Sequence, residues 1–242
     1  MAGRASFLIF LAIFAGLPGC GRDTPERDRT SAPAPSVAPV AAVPADKTAG
    51  RSALRIIFLG DSLTAGLGLD TEESFPALIQ KRVDADAYPY EIVNAGVSGD
   101  TSAGGLRRLE WALGEGTPAV LVVALGGNDG LRGLPTEQLE SNLAQIIEHG
   151  QKRGVRVILA GMEAPPNFGA DYTVRFRAVY PRLAERYHVR LIPFLLEDVA
   201  GQAALNQADG IHPNARGAAR VAELVWRVLE PELADARRTT TR

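Results

Sequence analysis

The sequence predicts an α/β fold, a three-layer α/β/α sandwich around a five-stranded parallel sheet, and three observations predict it. Five short apolar runs are spread over residues 54–192, stretches of helical period lie between them, and polar or glycine-rich segments follow the first three runs. Strands that alternate with helices need crossover connections, which give parallel strands covered on both faces.

The strands read in order as 54–59, 91–93, 119–124, 155–159 and 189–192, each short and rich in Val, Ile or Leu. The clearest helical period sets Leu139, Leu143, Ile146 and Ile147 on one face, with Glu137 and Glu140 in the first turn and a stop near His149-Gly150. Tyr172, Phe176, Val179, Tyr180 and Leu183 mark another helix, and Pro181 inside it predicts a kink or break. The last helix starts near Ala215 and runs through Val221, Leu224, Val225 and Val228. Trp111 and Trp226 fall in helical patterns and are expected to pack rather than to stack on a ligand.

The folded domain is expected over 53–236, with 237–242 a flexible tail. Ahead of it, Arg4 precedes the apolar run 7–15, too short for a mature membrane span but suited to a signal peptide over 1–19. That segment ends in Leu17-Pro18-Gly19-Cys20, which resembles a bacterial lipobox with an unusual proline, and it marks Cys20 as the acylated residue. An ordinary secretory signal that happens to hold a cysteine is the alternative. Residues 21–52 contain five prolines, seven alanines and no Leu, Ile, Met, Phe, Trp or Tyr, so they cannot bury enough apolar surface to offset ordering; with Cys20 they form a lipid anchor and linker.

Composition excludes several classes. A net charge of -2 with acids and bases interspersed leaves no basic stripe for nucleic acid. One cysteine forbids an intrachain disulfide or a multi-cysteine metal site, and three histidines leave little room for a histidine cluster, so no metal is expected. No G-x-S-x-G elbow occurs, and the glycines of 66–71 fail the dinucleotide fingerprint at their third position.

The polar segments fall where an open parallel sheet gathers its working residues, beyond the carboxyl ends of the strands. Gly60-Asp61-Ser62-Leu63 follows the first strand, 94–100 the second and Gly126-Gly127-Asn128-Asp129 the third, while 209–214 precedes the final helix. A serine hydroxyl needs a base within hydrogen-bond reach and a group that orients the base. Ser62, His212 and Asp209 can supply that set, with Gly210 allowing a tight turn between the last two. An oxyanion needs fixed donors, and the N–H of Ser62, the N–H of Gly99 and the side-chain amide of Asn128 share the rim. Each also has a structural reading: Ser62 as a helix N-cap, Asn128 as a turn former. Asp61, Asp100 and Asp129 read as turn or cap residues, and His149 and His188 as helix-end and surface residues.

These four blocks resemble the SGNH or GDSL hydrolase superfamily, and within it the bacterial periplasmic thioesterase I, lysophospholipase and arylesterase group, over residues 54–233. The resemblance implies a flavodoxin-like SGNH fold, Ser62 as nucleophile, Gly99 and Asn128 as oxyanion donors, Asp209 and His212 completing a triad, and no cofactor. In that group the segment equivalent to 130–135 moves over the acyl chain, so Leu131 and Leu134 are expected to line an acyl groove. The resulting expectation is an exported monomer, lipid-anchored in the periplasm at the outer membrane because Gly21 is no retention aspartate, that hydrolyses small-molecule or lipid acyl esters and thioesters through an acyl-serine. A carbohydrate O-acetylesterase of the same superfamily and a non-catalytic binding lipoprotein are the alternatives.

Overall fold

The structure, a computed structural model, describes residues 54–240, with side chains through residue 234. The expected signal peptide, the Cys20 anchor and the linker lie outside the described residues. Five strands, β1 (Leu54–Gly60), β2 (Tyr90–Gly96), β3 (Val120–Ala124), β4 (Arg156–Ala160) and β5 (Arg190–Ile192), form one parallel sheet in the order β2-β1-β3-β4-β5. Ile57 lies between Val93 and Leu121, Leu121 pairs with Val157, and Leu159 pairs with Leu191.

Central strands covered on both faces should be continuously apolar. Ile56, Ile57, Phe58 and Leu59 are fully buried, as are Val120 to Val123 next to them. Strand β2 is longer than the three residues its apolar core suggests. It is an edge strand with a half-exposed pattern, so polar Glu91 and Asn94 sit within it while its seven residues pair with β1.

The helices are α1 (Ser62–Ala65), α2 (Phe75–Ala85), α3 (Ser102–Arg107), α4 (Leu109–Leu113), α5 (Gly127–Leu131), α6 (Thr136–Lys152), α7 (Ala170–Tyr187) and α8 (Ala215–Thr240). Helix α2 packs with α8, whereas α6 packs with α7 and α3, giving the two outer layers. The face of α6 read from its period is the buried one: Leu139, Leu143, Ile146 and Ile147 are at most 1% exposed. The α8 helix begins where the Asn214 side-chain oxygen accepts the N–H groups of Arg216 and Gly217 at 3.0 and 3.1 Å.

Helix α8 extends through residues 237–240. Two expectations are corrected. Helix α7 passes through Pro181 without a break, because Pro181 is on the exposed side while Phe176, Val179, Tyr180, Leu183 and Ala184 hold the buried face on both sides of it. Trp226 packs at 2% exposure against Tyr88, but Trp111 is 75% exposed, since the five-residue α4 turns Leu109, Ala112 and Leu113 inward and leaves position 111 outside. No helix among the described residues is long and apolar enough to cross a membrane.

The chain runs from β1 outward to β2 and then returns to β3, so the strand order reverses between β1 and β3. In an open parallel sheet a crevice forms at the carboxyl ends of the strands at such a reversal. Asp61 and Ser62 follow β1 there, and Gly126 to Asn128 follow β3.

Candidate active site

Ser62 is the first residue of α1, and it is not the cap. Asp61 holds that position, its Oδ1 accepting the Leu63 N–H at 3.0 Å. The Ser62 hydroxyl is thereby left for another partner, and it meets His212 Nε2 at 2.9 Å. On the far side of the ring, His212 Nδ1 lies 2.7 Å from Asp209 Oδ2. Asp209 Oδ1 accepts the backbone N–H groups of Ile211 and His212, both at 3.0 Å, which fixes the carboxylate before the ring engages it.

The ring's hydrogens follow from the carboxylate. The hydrogen bond from His212, then the two backbone N–H groups, hold Asp209 down at about 2, so it only accepts. Nδ1 therefore carries the proton, and in the neutral ring Nε2 accepts from the Ser62 O–H. Two side chains outside the expected set hold this loop. Gln207 Nε2 donates to the Leu67 and Pro213 carbonyls at 2.7 and 2.9 Å, joining the histidine loop to the chain after α1. Asn214 Nδ2 donates to the Ala204 and Asn206 carbonyls at 3.1 and 3.2 Å.

The donor side is built on a turn. Asp100 N–H bonds the Val97 carbonyl at 3.1 Å, and Gly99 inside that turn has φ +85°, a conformation glycine adopts without a Cβ penalty. Asn128 donates one amide hydrogen to the Asp100 carbonyl at 2.9 Å, and among the described residues its second amide hydrogen has no acceptor. Asn128 lines the cavity beside Ser62; Gly99 does not, and lies in the turn whose Asp100 carbonyl Asn128 holds. Asp129 is 1% exposed and accepts both the N–H and the O–H of Ser102, at 2.8 and 2.5 Å, so it holds a loop as expected.

The cavity over Ser62 has a volume of about 350 Å³. Leu131, Met162, Phe194, Leu196 and Ile211 give it apolar walls, and Asp61, Asn128 and His212 place polar atoms at its base. Of the two leucines expected to line an acyl groove, Leu131 lines this cavity and Leu134 does not. Its carbonyl accepts from Tyr172 and its N–H bonds the Asp129 carbonyl, so that position closes the turn after α5. His149 pairs with Glu110 and His188 ends α7, both away from this cavity. Among the described residues no group of three or more His, Cys, Asp or Glu is placed to hold a metal ion.

The GDSL-like lipase/acylhydrolase family model matches residues 58–220, which contain every one of these side chains. The chain belongs to that family. The TesA esterase of Pseudomonas aeruginosa is 46% identical over 75% of this chain and 90% of its own length, and a crystal structure named TesA, also 46% identical, superposes with a TM-score of 0.71, covering 74% and 99% of the two chains. An arylesterase from Vibrio mimicus is 36% identical over 76% of this chain and 92% of its own. The Escherichia coli K12 protein named thioesterase 1/protease 1/lysophospholipase L1 is 38% identical over 73% and 83%. This GDSL family member is therefore an ester hydrolase with the SGNH fold.

Proposed function

We propose that the enzyme transfers the acyl group of an ester or thioester first to Ser62 and then to water. Ser62 Oγ attacks the carbonyl carbon while His212 Nε2 takes the hydroxyl proton, and Asp209 keeps the ring oriented and stabilises the imidazolium. The N–H groups of Ser62 and Gly99 and the free amide hydrogen of Asn128 receive the oxyanion. Collapse breaks the bond to the alcohol or thiol, which leaves with the histidine's proton, and a water activated by the same nitrogen releases the acid and restores Ser62.

The observation behind this reading is the Asp209–His212–Ser62 hydrogen-bond chain, at 2.7 and 2.9 Å, at the base of an apolar cavity. The cavity also favours acyl chains over sugar acetates, because five of its wall residues are large and apolar. Relatives named esterase, arylesterase and thioesterase/lysophospholipase support acyl substrates of this breadth. The apolar run 7–15 and Cys20 support export and a lipid anchor, which palmitate labelling lost in Cys20→Ser would test, and Gly21 in place of a retention aspartate supports the outer membrane.

The test of the chemistry is hydrolysis of p-nitrophenyl esters from acetate to palmitate at neutral pH, for the wild type and Ser62→Ala. Turnover should fall at least about a thousandfold in the variant, the scale on which a triad nucleophile acts. Equal turnover in the two proteins would overturn the acyl-serine, and a wild type that prefers acetate would restore the acetylesterase reading.

A further inference from the structure

Arg108, between α3 and α4, is held in an arrangement that packing alone does not require. Its guanidinium spans two loops. Nε lies 2.5 Å from Asp100 Oδ2, and Nη2 donates to the Gly60 carbonyl at 2.7 Å, while both side chains of the ion pair are less than a fifth exposed. Nη1 is buried with no partner among the described residues. Gly60 is the last residue of β1, two before Ser62, and its carbonyl also accepts the Val97 N–H at 3.0 Å. Asp100 closes the turn that contains Gly99, and its own carbonyl accepts from Asn128 at 2.9 Å.

Every element that carries an oxyanion donor is thus one bond from the same ion pair. The Ser62 N–H hangs from the β1 end that Nη2 grips, the Gly99 N–H from the turn that Nε grips through Asp100, and the Asn128 amide from the Asp100 main chain. A second feature fits this arrangement. A Cβ on Gly104 would fall 2.4 Å from Asp100 Oδ1, so the glycine of α3 leaves the space in which that carboxylate turns toward Arg108. Partly buried charge-assisted hydrogen bonds of this kind are short and directional, and removing one partner leaves the other charge without compensation.

We infer that Arg108 is a positioning residue for the oxyanion site, setting the spacing of the Ser62, Gly99 and Asn128 donors through Asp100 and Gly60. This rests on the ester-hydrolase mechanism above. Donors act on the transition state and little on the bound ester, so a misplaced set lowers kcat and leaves KM nearly unchanged.

The experiment compares the wild type with Arg108→Gln, Arg108→Lys and Asp100→Asn. It measures kcat and KM on p-nitrophenyl butyrate, inhibition by an alkyl trifluoromethyl ketone, which forms a tetrahedral oxyanion adduct with serine, and binding of the straight-chain alcohol of the same length, which offers the donors no oxyanion. Arg108→Gln should lower kcat ten- to a hundredfold with KM changed less than threefold. The ketone's inhibition constant should rise by the same factor, and the alcohol should bind as before. Arg108→Lys should recover part of the loss. Unchanged kcat in Arg108→Gln overturns the inference, and so does equal weakening of ketone and alcohol. Where Arg108→Gln does not fold, Asp100→Asn reads the same link at constant size: a parallel loss of kcat and ketone affinity supports the inference, and wild-type values overturn it. Ser62→Ala separates the two levels, because loss of turnover in Ser62→Ala beside a fully active Arg108→Gln removes the positioning role alone, whereas turnover in Ser62→Ala removes the mechanism on which it rests.

Discussion

The carboxylate of Asp61 caps α1 through the Leu63 N–H at 3.0 Å while lying 2% exposed beside Gly127 and the Ser62–His212 pair. Burial, opposed by that N–H and by the nearby His212 and aided by Asp129, raises it from 3.8 to about 6. Because the folded value is the higher one, the folded domain keeps this proton between those two pH values where the unfolded chain has released it. The ionised group therefore costs stability, a cost absent below 3.8 and complete above about 6. Asp61→Asn keeps an oxygen to cap α1 and removes the charge, so it should stabilise the domain at pH 8 by an amount on the order of 2 kcal/mol and by little at pH 4. Urea unfolding at the two pH values checks this, and an equal change at both would mean that folding does not raise the Asp61 carboxyl above its unfolded value. The same variant bears on activity: Asp209, held at about 2, stays ionised from pH 7 to 4, so an activity change in that range that Asp61→Asn removes belongs to Asp61. Ser62 shows how far single residues could be read: its hydroxyl could equally have been a cap until the structure gave that duty to Asp61. Arg108 was not legible, since an arginine eight residues from an aspartate resembles any surface pair until the fold draws both against the Gly60 carbonyl.

At the scale of elements, the strands were legible because central parallel strands are apolar on both faces, and β1, β3 and β4 needed no other signal. The full length of the edge strand β2 and the unbroken course of the helix through Pro181 were not, because each depends on what covers one side only. The segment after β3 divides in the same way. Leu131, the last residue of α5, is 47% exposed and lines the cavity, whereas Leu134, three residues on, is held by the Tyr172 hydroxyl at 2.8 Å and the Asp129 carbonyl at 3.0 Å. Leucine content alone could not separate a wall residue from a turn residue. The two positions should therefore respond differently to charge. Leu131→Asp places a carboxylate against the acyl chain and should lower kcat/KM for p-nitrophenyl octanoate at least tenfold relative to acetate, since each buried methylene is worth about 0.8 kcal/mol. Leu134→Asp should leave that ratio within about twofold. A ratio that moved with Leu134 and not with Leu131 would place the acyl chain on the other side of α5.

At the scale of the whole molecule, the family match ends at residue 220 while the hydrophobic core does not. Beyond that residue α8 buries Val221, Val225, Trp226, Leu229 and Leu233 at no more than 2% exposure. Glu232 on the same helix accepts from Arg190 at 2.8 Å and pairs with Arg156 at 3.6 Å, tying the helix to the starts of β4 and β5. Trp226 closes the layer over Tyr88 and takes the Arg82 guanidinium 5.1 Å above its ring. Burying a side chain of this size contributes about 1.5–3 kcal/mol, so five of them are worth roughly 10 kcal/mol, as much as the net stability of most domains. The last helix therefore belongs to the folding unit as fully as the catalytic blocks do: it packs on α2, which covers the edge strand β2, and on β5, while Asn214 at its start braces the histidine loop. A chain ending at residue 236 should unfold cooperatively within a few degrees of the full-length protein and keep its ester turnover. One ending at residue 220 should lose both, with no cooperative thermal transition, although it retains Ser62, Asp209 and His212. If the shorter chain folded and turned over ester, the C-terminal half of α8 would be an addition to the core and not a part of it.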